Sequence, residues 1–127
     1  MELVALVIAL ALVEFVAFGM LVGRARGLYG VKAPAISGHE VFDRYFRVHY
    51  NTMELLIVFV PSIWLFGLYV NPQWAAGLGA IYLVGRIVYF RGYVADPAKR
   101  EIGFGMSMLP VLVLLIGALI GAGRTMI

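Results

Sequence analysis

The 127-residue sequence has no cysteine, few charges and no stretch polar enough to form a water-soluble domain. Without cysteine there is no disulfide, no thiolate metal site and no cysteine nucleophile, so any reacting thiol must come from a bound molecule. Charged residues make up 13% of the chain and hydrophobic residues 63%, whereas a soluble domain carries about 25% charged residues. An ordinary soluble enzyme is excluded, and an integral membrane protein is indicated. The two histidines, His39 and His49, lack the Cys or second His on one face that a metal site needs. The basic residues sit at the edges of apolar runs and form no soluble basic face, which argues against nucleic acid as a partner.

What is present is four long apolar runs, at about 3–23, 50–70, 73–93 and 103–123, each close to the roughly 20 residues that cross a hydrocarbon core as helix. The reading is all-α: a single four-helix membrane domain over 1–127, with helices at about 3–24, 38–70, 72–94 and 97–123. The first run starts with Glu2 and no basic segment, so a retained helix is expected there and not a cleaved signal. Gly27 to Gly30 and Pro34 to Gly38 mark the first loop, and Ser37 to Glu40 fits a capping box with Ser37 as N-cap. Asn71-Pro72 and Asp96-Pro97 are helix starts, which makes the second and third helices a tight hairpin and puts Lys99, Arg100 and Glu101 on the first turn of the fourth. Basic residues concentrate in the first and third loops, while the second loop has none. The positive-inside rule therefore places those two loops in the cytoplasm and both termini on the opposite side.

Within these runs lie polar groups that a bilayer tolerates only when they face protein or water. Arg47, Asn51 and Glu54 follow i, i+4, i+7 spacing, and Tyr82, Arg86, Tyr89 and Tyr93 follow i, i+4, i+7, i+11, so each set shares a helix face. Counted from the Asn71-Pro72 corner, Glu54 and Tyr89 fall at one depth, about 26 Å down their helices. Guanidinium groups for carboxylates, a carboxylate for an ammonium, an amide for peptide groups and phenols beside apolar walls suit a small zwitterionic peptide. The alternative is mutual neutralisation of Arg47, Arg86 and Glu54, with the tyrosines as an interfacial belt.

The stretches Arg47-Val48-His49-Tyr50-Asn51-Thr52-Met53-Glu54 and Gly85-Arg86-Ile87-Val88-Tyr89-Phe90-Arg91-Gly92-Tyr93, followed by Arg100, carry a family resemblance. Over nearly its whole length the chain resembles the membrane-associated proteins in eicosanoid and glutathione metabolism, the superfamily of microsomal glutathione transferases, leukotriene C4 synthase and the five-lipoxygenase-activating protein. The resemblance implies a homotrimer with glutathione as co-substrate, bound between subunits near the cytoplasmic face. It matches Arg47, Asn51, Glu54, Tyr89 and Tyr93 to glutathione-binding positions and Arg26 to a further contact with the tripeptide. His49 stands where the leukotriene synthase has a glutamine, Arg86 matches a helix-three arginine of the pattern, and Arg100 matches the arginine held to activate the thiol. The chain departs from the leukotriene synthase at Gly27, where that enzyme has a second consecutive arginine, and at Leu55, where it has a tyrosine.

An adjacent guanidinium lowers a thiol pKa and raises its thiolate fraction, and this is the role expected of Arg100, with Tyr93 donating a hydrogen bond to the oxygen or leaving group. The expected partners are membrane lipids and a lipophilic electrophile or lipid hydroperoxide entering from the bilayer. Mid-span Glu14 is expected to be buried and either paired, with Arg86 as the candidate partner, or protonated. Gly117 and Gly121 fit a small-x-x-x-small contact, and Trp64, Trp74 and Tyr69 fit headgroup anchors. The competing functions are a non-catalytic lipid- or glutathione-binding scaffold of the same fold and a small four-helix drug exporter relying on Glu14.

Overall fold

Asn71 and Pro72 make the sharpest corner of the chain. In the computed structural model, which describes all 127 residues, α2 (Glu40–Tyr69) and α3 (Pro72–Ala95) are joined by only Val70 and Asn71. The Asn71 side-chain oxygen accepts from the amides of Gln73 at 2.8 Å and Trp74 at 3.0 Å, and Pro72 fills the first helical position, where no amide is needed. The hairpin forms as its sequence indicates. With α1 (Glu2–Tyr29) and α4 (Glu101–Arg124), the chain is all-helical, with four helices and no strand.

Three boundaries differ from the expected ones. α1 continues past residue 24 to Tyr29, through Gly27, and stops at Gly30, whose φ of 69° is the left-handed conformation that ends a helix. The cap of α2 is His39, not Ser37: its Nδ1 accepts from the Val41 amide at 3.1 Å, while the Asp43 carboxylate reaches back to the Gly38 amide at 3.2 Å. Gly38 has a φ of 144°, which turns the chain before Ser37 is in reach of the helix amides. Asp96 caps a 3-10 turn, Pro97–Lys99, and α4 proper begins at Glu101, so Arg100 lies at the junction and not on the first α-helical turn.

Three of the helical segments, Glu2–Tyr29, Glu40–Tyr69 and Pro97–Arg124, are long and apolar enough to cross a membrane. α3, at 24 residues, has the length but not the composition, because it carries Arg86, Arg91, Gln73 and a row of tyrosines. Most of that polarity is turned inward: Tyr82, Arg86 and Tyr89 are buried against the other helices. Outward-facing leucine, valine and isoleucine run along α1, α2 and α4, among them Leu6, Val13, Ile57, Leu109 and Leu119. An apolar surface of that extent suits hydrocarbon and not water.

Close approach of α3 and α4 depends on two glycines. A Cβ on Gly103 would overlap the Tyr89 backbone, and one on Gly85 would come within 2.7 Å of the Met106 carbonyl carbon. This contact sets Ser107 beside Arg86. Gly117 and Gly121 seat against Phe66 and the Tyr69–Val70 end of α2, so the small-residue pattern serves packing within the chain. Trp64, Trp74 and Tyr69 are exposed near the α2–α3 corner.

Candidate functional site

Arg86 is fully buried, and three helices hold it. Its Nε donates to Ser107 Oγ of α4 at 2.8 Å, and its Nη1 donates to two side chains of α2, Asn51 Oδ1 at 2.7 Å and Thr52 Oγ1 at 3.2 Å. Thr52 and Ser107 are themselves oriented by donating to carbonyls one turn back, Val48 at 2.8 Å and Gly103 at 2.7 Å. The guanidinium also stands 4.4 Å from the Tyr89 ring centroid, a cation–π distance. The planar fork of arginine satisfies these partners together, which a lysine ammonium on one stem does not.

The bond from Arg86 to Asn51 is where the polar faces of α2 and α3 meet. Asn51 spends its amide oxygen on Arg86, and its NH₂ group makes no hydrogen bond within the protein. On either side of Asn51 along α2, Arg47 and Glu54 are exposed and bond to no other side chain. The two ion pairs of the chain are Met1 amino group–Glu2 and Arg44–Glu40, so mutual neutralisation of Arg47, Arg86 and Glu54 does not occur. Arg47 borders an open cavity of about 520 Å³ with Ile36, Ser37, Asp43, Phe46 and Tyr50.

Counting from the corner places Glu54 level with Tyr89, but the contacts shift that by about six residues, nearly two turns. Phe59 stacks on Tyr82 with centroids 3.9 Å apart, in step with the corner. Beyond them the pairing slips: Asn51 meets Arg86, and Val48 shares a buried cluster with Tyr89 and Phe18. Packed helices cross, so equal residue counts stop meaning equal depth away from the turn that joins them. Tyr93, half-buried, follows Tyr89 with ring centroids 5.6 Å apart and continues the phenolic face toward the third loop.

The remaining sequence-predicted residues are dispersed around this centre. Arg26 lies over the Phe42 ring at 5.0 Å and donates to the carbonyls of Val31 and Ala35, tying the first loop to the end of α1. His49 points at α1, stacked on Phe15 with centroids 4.4 Å apart, on a different side of α2 from Arg47 and Glu54. Arg100 is exposed at the α3–α4 corner and donates to the Pro97 carbonyl at 3.1 Å. Glu14 forms no ion pair with Arg86: it is half-buried, and its Oε1 is enclosed without a hydrogen-bond partner.

Three residues of this neighbourhood were not singled out by sequence reasoning. Ser107 is the only hydroxyl-bearing residue in the apolar run 103–123, and Thr52 adjoins Asn51; hydroxyls inside membrane helices are candidates for bonds between helices, which was the available signal. Arg44 donates from Nη1 to the carbonyls of Val94 at 3.1 Å and Ala95 at 3.3 Å, supplying the cation that favours the C-terminus of α3. No signal in the sequence pairs it with a segment fifty residues on. No group of three or more His, Cys, Asp or Glu gathers to hold a metal ion.

Together these features define an all-helical integral membrane protein whose polar residues converge where α2, α3 and α4 meet, with unpartnered charges along the outer face of α2. The chain belongs to the MAPEG family, whose model matches residues 3–120. It is 47% identical over 116 residues to an uncharacterized protein of Synechocystis, sll1147, covering 91% of this chain and 85% of that one. It is 40% identical over 103 residues to microsomal glutathione S-transferase 2 of Homo sapiens, covering 80% of this chain and 70% of that protein. To leukotriene C4 synthase of Rattus norvegicus it is 34% identical over 83 residues, covering 65% and 55% respectively.

Proposed function

We propose that this protein is a membrane-embedded glutathione transferase that holds glutathione between the subunits of a homotrimer and presents its sulfur as a thiolate to lipophilic electrophiles. The observation that carries the reading is the Arg86–Asn51 bond, which occupies the Asn51 amide oxygen and leaves its NH₂ group without a protein partner, on the helix face that also carries an unpartnered Arg47 and an unpartnered Glu54. That donor set fits the tripeptide: Arg47 for a carboxylate, Glu54 for the α-ammonium, Asn51 for a peptide carbonyl. Arg26, His49, Arg86 and Tyr89 complete or support the pocket in this reading. Membership of the MAPEG family and the names of the transferase and synthase relatives support it independently.

Charges exposed on an apolar α2 are costly against lipid, so a second copy of the chain is the natural cover for Arg47 and Glu54. In this reading α3 is the fourth span, its polar face enclosed by its neighbours, and the basic first and third loops lie at the cytoplasmic face with both termini opposite. Arg100 stabilises the thiolate electrostatically and remains protonated throughout, so the thiol proton leaves to water. Sulfur then forms a bond to carbon as an epoxide C–O bond or an aryl–halide bond breaks, and Tyr93 donates a hydrogen bond to the departing oxygen or halide. With a lipid hydroperoxide the same thiolate attacks the O–O bond, and a second glutathione completes reduction to the alcohol, water and the disulfide.

The test is turnover by purified protein with glutathione and chlorodinitrobenzene or a fatty-acid hydroperoxide. Conjugate formation or peroxide loss that falls at least tenfold in Arg100→Ala, with much of the glutathione affinity retained, supports the reading. Glutathione binding without turnover favours a non-catalytic scaffold of the same fold. Proton-coupled cation transport in vesicles, abolished by Glu14→Gln and indifferent to Glu54 or Arg100, favours a drug exporter.

A further inference from the structure

Three buried polar atoms make no hydrogen bond near the centre of the bundle: Glu14 Oε1 on α1, and Tyr82 Oη and Arg86 Nη2 on α3. Their residues share one place. Glu14 continues the inward-facing row of α1, Val4, Val7, Ala11, Glu14, Phe18, Val22, each three or four residues from the last. Along that row α1 keeps a fixed register with α3. A Cβ on Gly79 would meet Val7 at 2.6 Å, and Phe18 stacks on Phe90 with centroids 4.8 Å apart, an offset of 72 residues in both cases. The same offset sets Glu14 opposite Arg86. One turn away, Tyr82 is fixed by its stack on Phe59, and its hydroxyl faces no other protein partner.

Resting on the glutathione-site reading above, we propose that Glu14 is a positioning residue for that site, acting through Arg86 on Asn51. Glu14 Oε1 accepts, and Arg86 Nη2 donates, through a buried water that also meets Tyr82 Oη. Three polar groups within a turn of one another are the company a buried water requires. Every other hydrogen-bonding edge of the guanidinium is already assigned: Nε to Ser107, Nη1 to Asn51 and Thr52. Nη2 is the one edge left without a protein partner, and a bond there completes the hold on the fork. Tilting the fork would release Asn51 Oδ1 and let the amide turn its oxygen toward the ligand. α1 thereby governs a contact made on α2 without touching the ligand itself.

The role is that of a hydrogen-bond acceptor, so glutamine suffices and leucine does not. Calorimetric titration of glutathione into the full-length protein in detergent should show affinity reduced about tenfold in Glu14→Leu and within about twofold of wild type in Glu14→Gln. In an Asn51→Ala background, Glu14→Leu should cost nothing further, because the residue it positions is gone. Tyr82→Phe removes one oxygen from the same cluster, should weaken binding in the wild-type background alone, and stands in if Glu14→Leu does not fold. Unchanged affinity in both Glu14→Leu and Tyr82→Phe, an equal loss in Glu14→Gln, or a Glu14→Leu loss persisting in the Asn51→Ala protein overturns the proposal. Failure of the wild type to bind glutathione instead overturns the functional reading on which it rests.

Discussion

Arg86 Nη1 donates to Asn51 Oδ1 across 2.7 Å, and that one bond decides which end of the Asn51 amide is left without a protein partner. The arginine belongs to the packed interior, whereas the asparagine stands at its edge. If the proposed function holds, core packing and ligand recognition share this side chain, and the two can be separated by substitution.

Asn51→Asp keeps an acceptor for Arg86 and adds a charge-assisted bond, but removes the outward NH₂ donor. Thermal unfolding in detergent should hold or rise, while glutathione affinity should fall about tenfold or more. A variant that binds glutathione like wild type would mean that the Asn51 NH₂ group plays no part in recognition.

Ser107→Ala deprives Arg86 Nε of its acceptor and leaves a buried charged donor unpaired. A loss of about 1–3 kcal/mol in stability is expected, read as a lower unfolding temperature. Ser107→Thr keeps the hydroxyl and should recover most of that loss, unless its added methyl is rejected by the close α3–α4 contact.

Gly103→Ala places a methyl group on the Tyr89 backbone, where no flexible side chain can yield, so α3 and α4 must separate. Poor expression or a loss of several kcal/mol is expected. Gly77→Ala, on an exposed part of α3 where the new methyl meets nothing within 4 Å, should be neutral or slightly stabilising. Comparable melting temperatures for the two variants would contradict the packing described for Gly103.

Much of this architecture was legible in the sequence because bilayer helices announce themselves by length and composition, and because Asn71-Pro72 has a specific local chemistry. The polar faces of α2 and α3 were legible from helical spacing. Less accessible was where those faces point: periodicity groups Arg47 with Asn51 and Glu54, but cannot tell that Arg86 enters the core while Arg47 stays outside. The stop of α1 at Gly30 and the His39 cap were missed because each depends on a backbone angle, at Gly30 and at Gly38, that neighbouring glycines could equally have adopted. Ser107 and Arg44 were missed because their partners lie on other helices, at distances that no local pattern encodes. His49 belongs to the stretch that carries the family resemblance, yet it packs on Phe15, a contact that requires the place of α1 to be known.

The most direct measurement is calorimetric titration of glutathione into detergent-purified protein and its Arg47→Ala and Glu54→Ala variants. Saturable binding by the wild type, weakened at least tenfold in each variant, is the expected result. No binding by folded wild-type protein, or equal binding by all three, would mean that the outer face of α2 is not where the tripeptide is held.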